Sequence, residues 1–346
     1  FCNTLFSSPP LLSPLTSTET KPSRFSKKLR ARAQCQSMED HIHDDLLRRK
    51  FMEFPYVSAT RKQLMVDLIS TVEDHFQPLL LPCNLPPEVR NFKNPNGSAE
   101  ASIYIRSGEK SSPIDFFIGS WVHGKIPTGV TLNITTISAF LKSSTKAPNF
   151  TLEVIQSSPT SLVLILDLPH RTDLVLNPDY LKEYYQDTNL DSYRQSLFKL
   201  PGVKPYVSPS LFVRCVVSPA ASVLKIDVEE EEQLEEIWRD HVGPAAKEIL
   251  GVWFERCARE EDDEKRAMGE EERMELERRD KSFRLKNIED DLDFQFPRLF
   301  GEEVSSRVLH VIKEAFGVMI MSLFIIIPCC TQSSKKLSVF FFFSKD

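Results

Sequence analysis

The stretch Asn149–Tyr185, NFTLEVIQSSPTSLVLILDLPHRTDLVLNPDYLKEYY, carries more of the architecture than any other part of the chain. Phe150, Leu152 and Val154 alternate with Thr151, Glu153 and Ile155, the two-residue period of a strand with one face buried. Ser157-Ser158-Pro159-Thr160 has the composition of a turn. Leu162 to Leu166 is then apolar on both faces, as a strand covered from both sides must be. A loop of those four residues sets Gln156 opposite Ser161 and Glu153 opposite Leu164. Beside such a strand Glu153 is desolvated, which raises its pKa and makes it a candidate proton donor near neutrality. The ordinary alternative is a carboxylate that points to solvent or pairs with a neighbouring Lys or Arg. Downstream, Asn177 with Pro178 opens a helix that carries Tyr180, Leu181, Tyr184 and Tyr185.

Outward from this block, further strands are expected at Glu100–Arg106, Asp115–His123, Val130–Thr136, Ser210–Val217 and Ser222–Asp227. Short loops of Gly, Pro, Asn and Ser join most of them, which implies a largely antiparallel sheet. Met38–Phe54 and Thr60–Phe76 read as amphipathic helices on one side in sequence. On the other, a helix from about Glu229 is expected to break at Gly243-Pro244 and resume with Ile249, Leu250, Trp253, Phe254 and Cys257. Glu260–Lys286 is densely charged, and Val304–Phe316 forms a last helix. Helices before and after a strand meander predict a sheet covered on both faces, an α/β/α sandwich.

The full chain has a net charge of -6, but residues 1–37 hold six basic residues against the single acid Glu19, which leaves the rest at about -11. The Ser-, Thr- and Pro-rich leader reads as a plastid transit peptide, incomplete at its start because the chain begins at Phe1. So acidic a body excludes nucleic acid as the main partner. The ten residues Val318–Ile327 are half the length of a membrane span. With Phe340–Phe343 they make 319–346 an atypical apolar tail, expected to be unstructured or artefactual. No G-x-G-x-x-G or phosphate-binding loop occurs, which argues against a dinucleotide site. The seven cysteines and seven histidines lack the spacing of a metal site, so no bound cofactor or metal is expected.

The opening block, together with MEFPYVSATRKQLMVDL (Met52–Leu68), NPNGSAEAS (Asn94–Ser102) and NIEDDLDFQFPRLFGEEVSSRV (Asn287–Val308), resembles the red chlorophyll catabolite reductases of plants. The resemblance runs from about Met38 to Val318 and defines the expected domain, 38–318. It implies the α/β/α fold shared with ferredoxin-dependent bilin reductases, a homodimer, and location in the chloroplast stroma. It implies reduction of the C20/C1 double bond of a linear tetrapyrrole to the primary fluorescent catabolite, with reduced ferredoxin as electron donor. Pheophorbide a oxygenase, the preceding enzyme, is an implied partner. Two carboxylates tied to that chemistry fall on Glu153, in LEVIQ, and Asp291, in IEDDLDFQF, where the acidic neighbours leave the register open. A residue steering product stereochemistry falls on Val217. The basic run Arg278, Arg279, Lys281, Arg284 and Lys286 is the densest candidate for docking acidic ferredoxin. A non-catalytic escort that sequesters a phototoxic catabolite is the competing reading.

Overall fold

The computed structural model describes residues 44–126, 129–258 and 268–318. The chain divides into two units, Phe1–Asp45 and Leu46–Asp346, and the described residues lie almost wholly in the second. The expected leader and the tail 319–346 fall outside them.

Eight strands form one sheet: β1 (Asn91–Lys93), β2 (Ala99–Ser107), β3 (Ile114–Lys125), β4 (Thr131–Leu141), β5 (Phe150–Ser158), β6 (Ser161–Asp167), β7 (Val203–Pro205) and β8 (Ser222–Asp227). Their spatial order is β1-β2-β3-β4-β5-β6-β8-β7 and every pairing is antiparallel. The helices are α1 (residues 44–51), α2 (Ala59–Phe76), α3 (Pro87–Arg90), α4 (Pro178–Leu181), α5 (Leu190–Leu197), α6 (Leu211–Val216), α7 (Glu231–Ile237), α8 (Gly243–Arg256), α9 (Glu270–Asn287), α10 (Asp293–Phe300) and α11 (Glu302–Ala315). The expected sandwich is present.

One face of the sheet is densely packed. Leu64, Leu68, Ile69 and Val72 of α2 and Ile249, Leu250 and Trp253 of α8 are buried with Phe150, Leu152 and Val154 of β5 and Leu162, Leu164 and Leu166 of β6. Trp253 donates its indole N–H to Pro148 O at 3.0 Å, so its one polar atom is satisfied in the core. Gly119 of β3 permits a close approach: a Cβ there would lie 2.7 Å from the Phe51 ring. Ser58 caps α2 by accepting from Arg61 N. The opposite face is covered by α6, α9, α10 and α11, and there the packing leaves a cavity.

The local expectations divide. Ser210–Val217, read as a strand, is the helix α6. Its β-branched run suits a strand, but the Ser210 hydroxyl accepts from Val213 N at 3.3 Å and starts a helix instead. Two short edge strands, β1 and β7, lack the length to show a period in sequence. The β5–β6 turn is two residues, Pro159-Thr160, not four. Glu153 therefore pairs with Ile165 and Gln156 with Leu162, a one-residue shift that changes which side chains share a face. A bulge between Gln156 and Ser158 accommodates it. Gly243-Pro244 does not break its helix: α7, a π-helical stretch Trp238–Val242 and α8 are contiguous. Pro244 sits in the first turn of α8, where its missing N–H is tolerated next to the wider π turn. Asn177 precedes α4 as expected, but its amide donates to Thr172 Oγ1 and Asp173 O rather than capping.

Candidate active site

The register of β3 to β6 places two rows of side chains on the floor of the cavity. Ser120, Thr136, Glu153 and Ile165 are successive cross-strand partners; Ile118, Ser138, Thr151 and Asp167 form the next row. Partners in such rows have Cβ atoms roughly 5 Å apart. Within the second row the Ser138 and Thr151 hydroxyls bond at 2.8 Å. The rest of the lining is mostly apolar: Val213, Val216 and Val217 from α6 and its end, Phe283 and Asn287 from α9, Ile288 and Leu292 from a π-helical stretch, and Gln295, Phe296 and Leu299 from α10. The cavity has a volume of about 270 Å³. A concave apolar chamber with a few convergent polar groups is the usual form of a small-molecule site.

Glu153 is the site's least compensated group. Among the described residues it makes no hydrogen bond or ion pair, and what surface it keeps faces the cavity. Burial raises its pKa to about 7, so near neutrality it is divided between acid and carboxylate. Tyr206 lies within its field and is itself raised, by burial and then by Glu153.

A second carboxyl, Asp167, also lines the cavity and was missed in sequence. It stands one row along and one strand over from Glu153, the diagonal relation in an antiparallel pair. Its oxygens accept from Ser218 N at 2.8 Å and Ser218 Oγ at 2.5 Å. Burial raises its pKa to about 6, with the Ser218 and Leu168 bonds pulling the other way. Its signal in sequence is one acid at the end of the apolar run LVLILD, which reads equally well as the start of a turn.

Val217 lines the cavity, and it does so from the end of a helix rather than from a strand. Asp291 belongs by its backbone to the π-helical Ile288–Leu292, whose neighbours Asn287, Ile288, Leu292 and Gln295 line the same cavity. Its side chain lies outside the described residues. The basic run on α9 is not one patch. Arg284 is buried, pairs with Asp115 at 2.7 Å and stacks over Phe116 and Phe140. Arg279 is half-buried, while Arg278 and Lys281 are exposed. Buried Asp280 of the same helix pairs with fully enclosed Arg171 at 2.5 Å, fixing α9 beside the end of β6. Of the histidines, His123 bonds Asn133 at 2.7 Å and stacks on Tyr56. Burial, with Arg279 adding to it, lowers His170 to about 4. No group of His, Cys, Asp and Glu among the described residues could hold a metal ion, and no helix among them is long and apolar enough to cross a membrane.

The profile of the red chlorophyll catabolite reductase (RCC reductase) family matches residues 60–314. The chain belongs to this family. It is 78% identical over 321 residues to a chloroplastic red chlorophyll catabolite reductase of Arabidopsis thaliana, covering 92% of this chain and 99% of that protein. It is 40% identical to red chlorophyll catabolite reductase 1, chloroplastic, of Oryza sativa subsp. japonica, over 76% of this chain and 79% of the relative. A red chlorophyll catabolite reductase of Hordeum vulgare is 44% identical over 59% of this chain and 98% of its own length. The fold is similar to that of tomato phytochromobilin synthase, solved in complex with biliverdin: TM-score 0.54, 17% identity, 74% of this chain and 83% of that one. The chain is accordingly a chloroplastic oxidoreductase of chlorophyll catabolism with a bilin-reductase-like fold.

Proposed function

We propose that the protein reduces red chlorophyll catabolite at its C20/C1 double bond to the primary fluorescent catabolite, with Glu153 as proton donor and reduced ferredoxin as electron donor. Saturating that bond takes two electrons and two protons, which end as one new C–H bond at each carbon. Ferredoxin delivers electrons singly, and the conjugated tetrapyrrole can hold the charge between deliveries. The protein's part is to orient the substrate and supply protons where negative charge develops. The reading rests on one observation above all: Glu153, unpaired on the floor of an apolar cavity, with its pKa brought to about 7 by burial. A donor poised near the working pH combines a useful protonated fraction with a useful driving force. Asp291 supplies the second proton from the π-helical stretch that borders the same cavity. Val217, on the cavity wall, limits how the substrate's new stereocentre can lie.

Action in the stroma, a homodimer, and contact with pheophorbide a oxygenase belong to the same reading, as does a plastid leader over 1–37. Ferredoxin docking is assigned to exposed Arg278 and Lys281, not to Arg284, which is committed to Asp115. The test is an anaerobic assay with red chlorophyll catabolite and chemically reduced ferredoxin, run on the parent beside Glu153→Gln. Fluorescent product from the parent and a loss of roughly 10²–10⁴-fold in the variant is the expected result. Tight binding without product from either protein would replace the reductase by the escort.

A further inference from the structure

Helix α6 forms one wall of the cavity through Val213, Val216 and Val217, yet it is poorly anchored by its own packing. None of its residues is buried, and Leu211 is 70% exposed. Phe212 rests against Phe283 of α9, with ring centroids 5.8 Å apart. Beyond that contact, a polar attachment comes immediately after Val217. Ser218 is buried, and its N–H and hydroxyl both donate to Asp167. The same hydroxyl oxygen accepts from Ala220 N at 3.2 Å, closing the turn that leads into β8. A carboxylate on the cavity floor is thus tied by two bonds to the residue next to the cavity wall.

The two cavity carboxyls differ in what their oxygens can still do. Among the described residues nothing bonds either oxygen of Glu153, whereas each oxygen of Asp167 already accepts from Ser218. Charge-assisted hydrogen bonds of this kind are about twice as strong as neutral ones and fix geometry. Both bonds lead to a single residue, the one that follows the Val217 end of α6.

We propose that Asp167 is a positioning residue for the reaction: its clasp on Ser218 sets the α6 wall, and with it the pose in which substrate meets Glu153. This rests on the reductase reading above for its chemistry, but the clasp itself can be tested by binding alone. Asp167→Asn can keep both bonds, its carbonyl accepting from Ser218 N–H and its amide donating to Ser218 Oγ. Asp167→Ala keeps neither, and Ser218→Ala keeps only the backbone one. The experiment measures KM, kcat and the epimer ratio of the fluorescent product for these three variants. Alongside it, the Kd for red chlorophyll catabolite is obtained by absorbance titration without ferredoxin.

The expected result is a rise of about ten-fold in KM and Kd for Asp167→Ala, the effect of losing about 1.4 kcal/mol of hydrogen bonding. The epimer ratio should broaden as well. Asp167→Asn should recover most of both losses, and Ser218→Ala should fall between. Two results overturn the proposal: Asp167→Ala matching the parent in Kd and epimer ratio, or Asp167→Asn as impaired as Asp167→Ala, since the charge rather than the clasp would then matter. If Asp167→Ala does not fold, Ser218→Ala decides: a KM and Kd equal to the parent's would overturn the clasp. If the parent gives no product, the reductase reading fails, and the Kd series still judges the clasp.

Discussion

Two glutamates stand on opposite faces of the same sheet and have opposite environments. Glu73 of α2, on the packed face, accepts from Tyr104 OH at 2.6 Å and pairs with Arg48 and with Arg106, the latter at 3.3 Å. Burial works against its charge, but Arg48, Tyr104 and Arg106 together hold its pKa below the ordinary value. Glu153, on the cavity face, has no such partner among the described residues, and burial pushes it up to about 7. The comparison separates two uses of a buried carboxylate. Where every lone pair is satisfied the group stays charged and fastens a helix to a strand. Where none is satisfied it exchanges a proton near neutrality, at a cost in stability. The packed face holds the fold together, and the cavity face keeps an uncompensated carboxyl.

For stability, the largest effect should come from the packed face. Trp253→Ala removes a fully buried indole and should cost about 3–5 kcal/mol in a denaturant titration. A loss under about 1 kcal/mol would mean that this face is less tightly packed than its burial indicates. Glu73→Gln comes next. It leaves Arg48 and Arg106 facing a neutral partner and should cost about 2–3 kcal/mol at neutral pH, less than for a fully enclosed pair because Arg48 is partly exposed. The Glu73 pKa is depressed in the fold, so that contribution is present at neutral pH and is lost as pH falls through the carboxylate range.

Glu153→Gln should do the reverse. Its folded pKa is raised from 4.5 to about 7. The folded protein therefore binds the proton more tightly, and stability drains away as pH rises through about 7. The variant should be more stable than the parent by roughly 1–3 kcal/mol at about pH 8, and the two should converge at about pH 4. Parallel stability curves across that range would mean that the carboxyl is solvated rather than desolvated. The smallest effect concerns the surface. Replacing exposed Arg278 and Lys281 by Gln should slow ferredoxin-driven turnover a few-fold at low salt and leave it unchanged at high salt, where such charges are screened. An equal loss at both ionic strengths would remove these residues from the docking surface.

Much of the packed face was legible in sequence, because its pattern is a simple alternation: Phe150, Leu152 and Val154 declare both the strand and the side that is buried. Glu153 was legible for the same reason, as the polar member of that alternation. The cavity was not, since it exists only where α9, α10 and α11 fold across the sheet. The buried stripe of α9 includes Leu276, Asp280 and Arg284, so charged residues stand where a hydrophobic period would be sought. Arg284 accordingly looked like part of a basic surface, although it is enclosed against Asp115 and two Phe rings. Helix α6 was misread because LFVRCVV is a strand by propensity and one Ser hydroxyl reverses it. Asp167 was passed over because the Ser that fixes it lies 51 residues later. Local pattern shows which residues are buried; long-range contacts determine which of them face the cavity.

The most direct test of the account is the pH dependence of turnover with red chlorophyll catabolite and reduced ferredoxin, for the parent and Glu153→Gln. Parent activity should fall as pH rises through about 7, as the Glu153 proton is lost. The variant should be slower by at least about 100-fold, with that limb absent. A variant that turns over at the parent's rate with the same pH profile would contradict it, because the proton would then come from elsewhere.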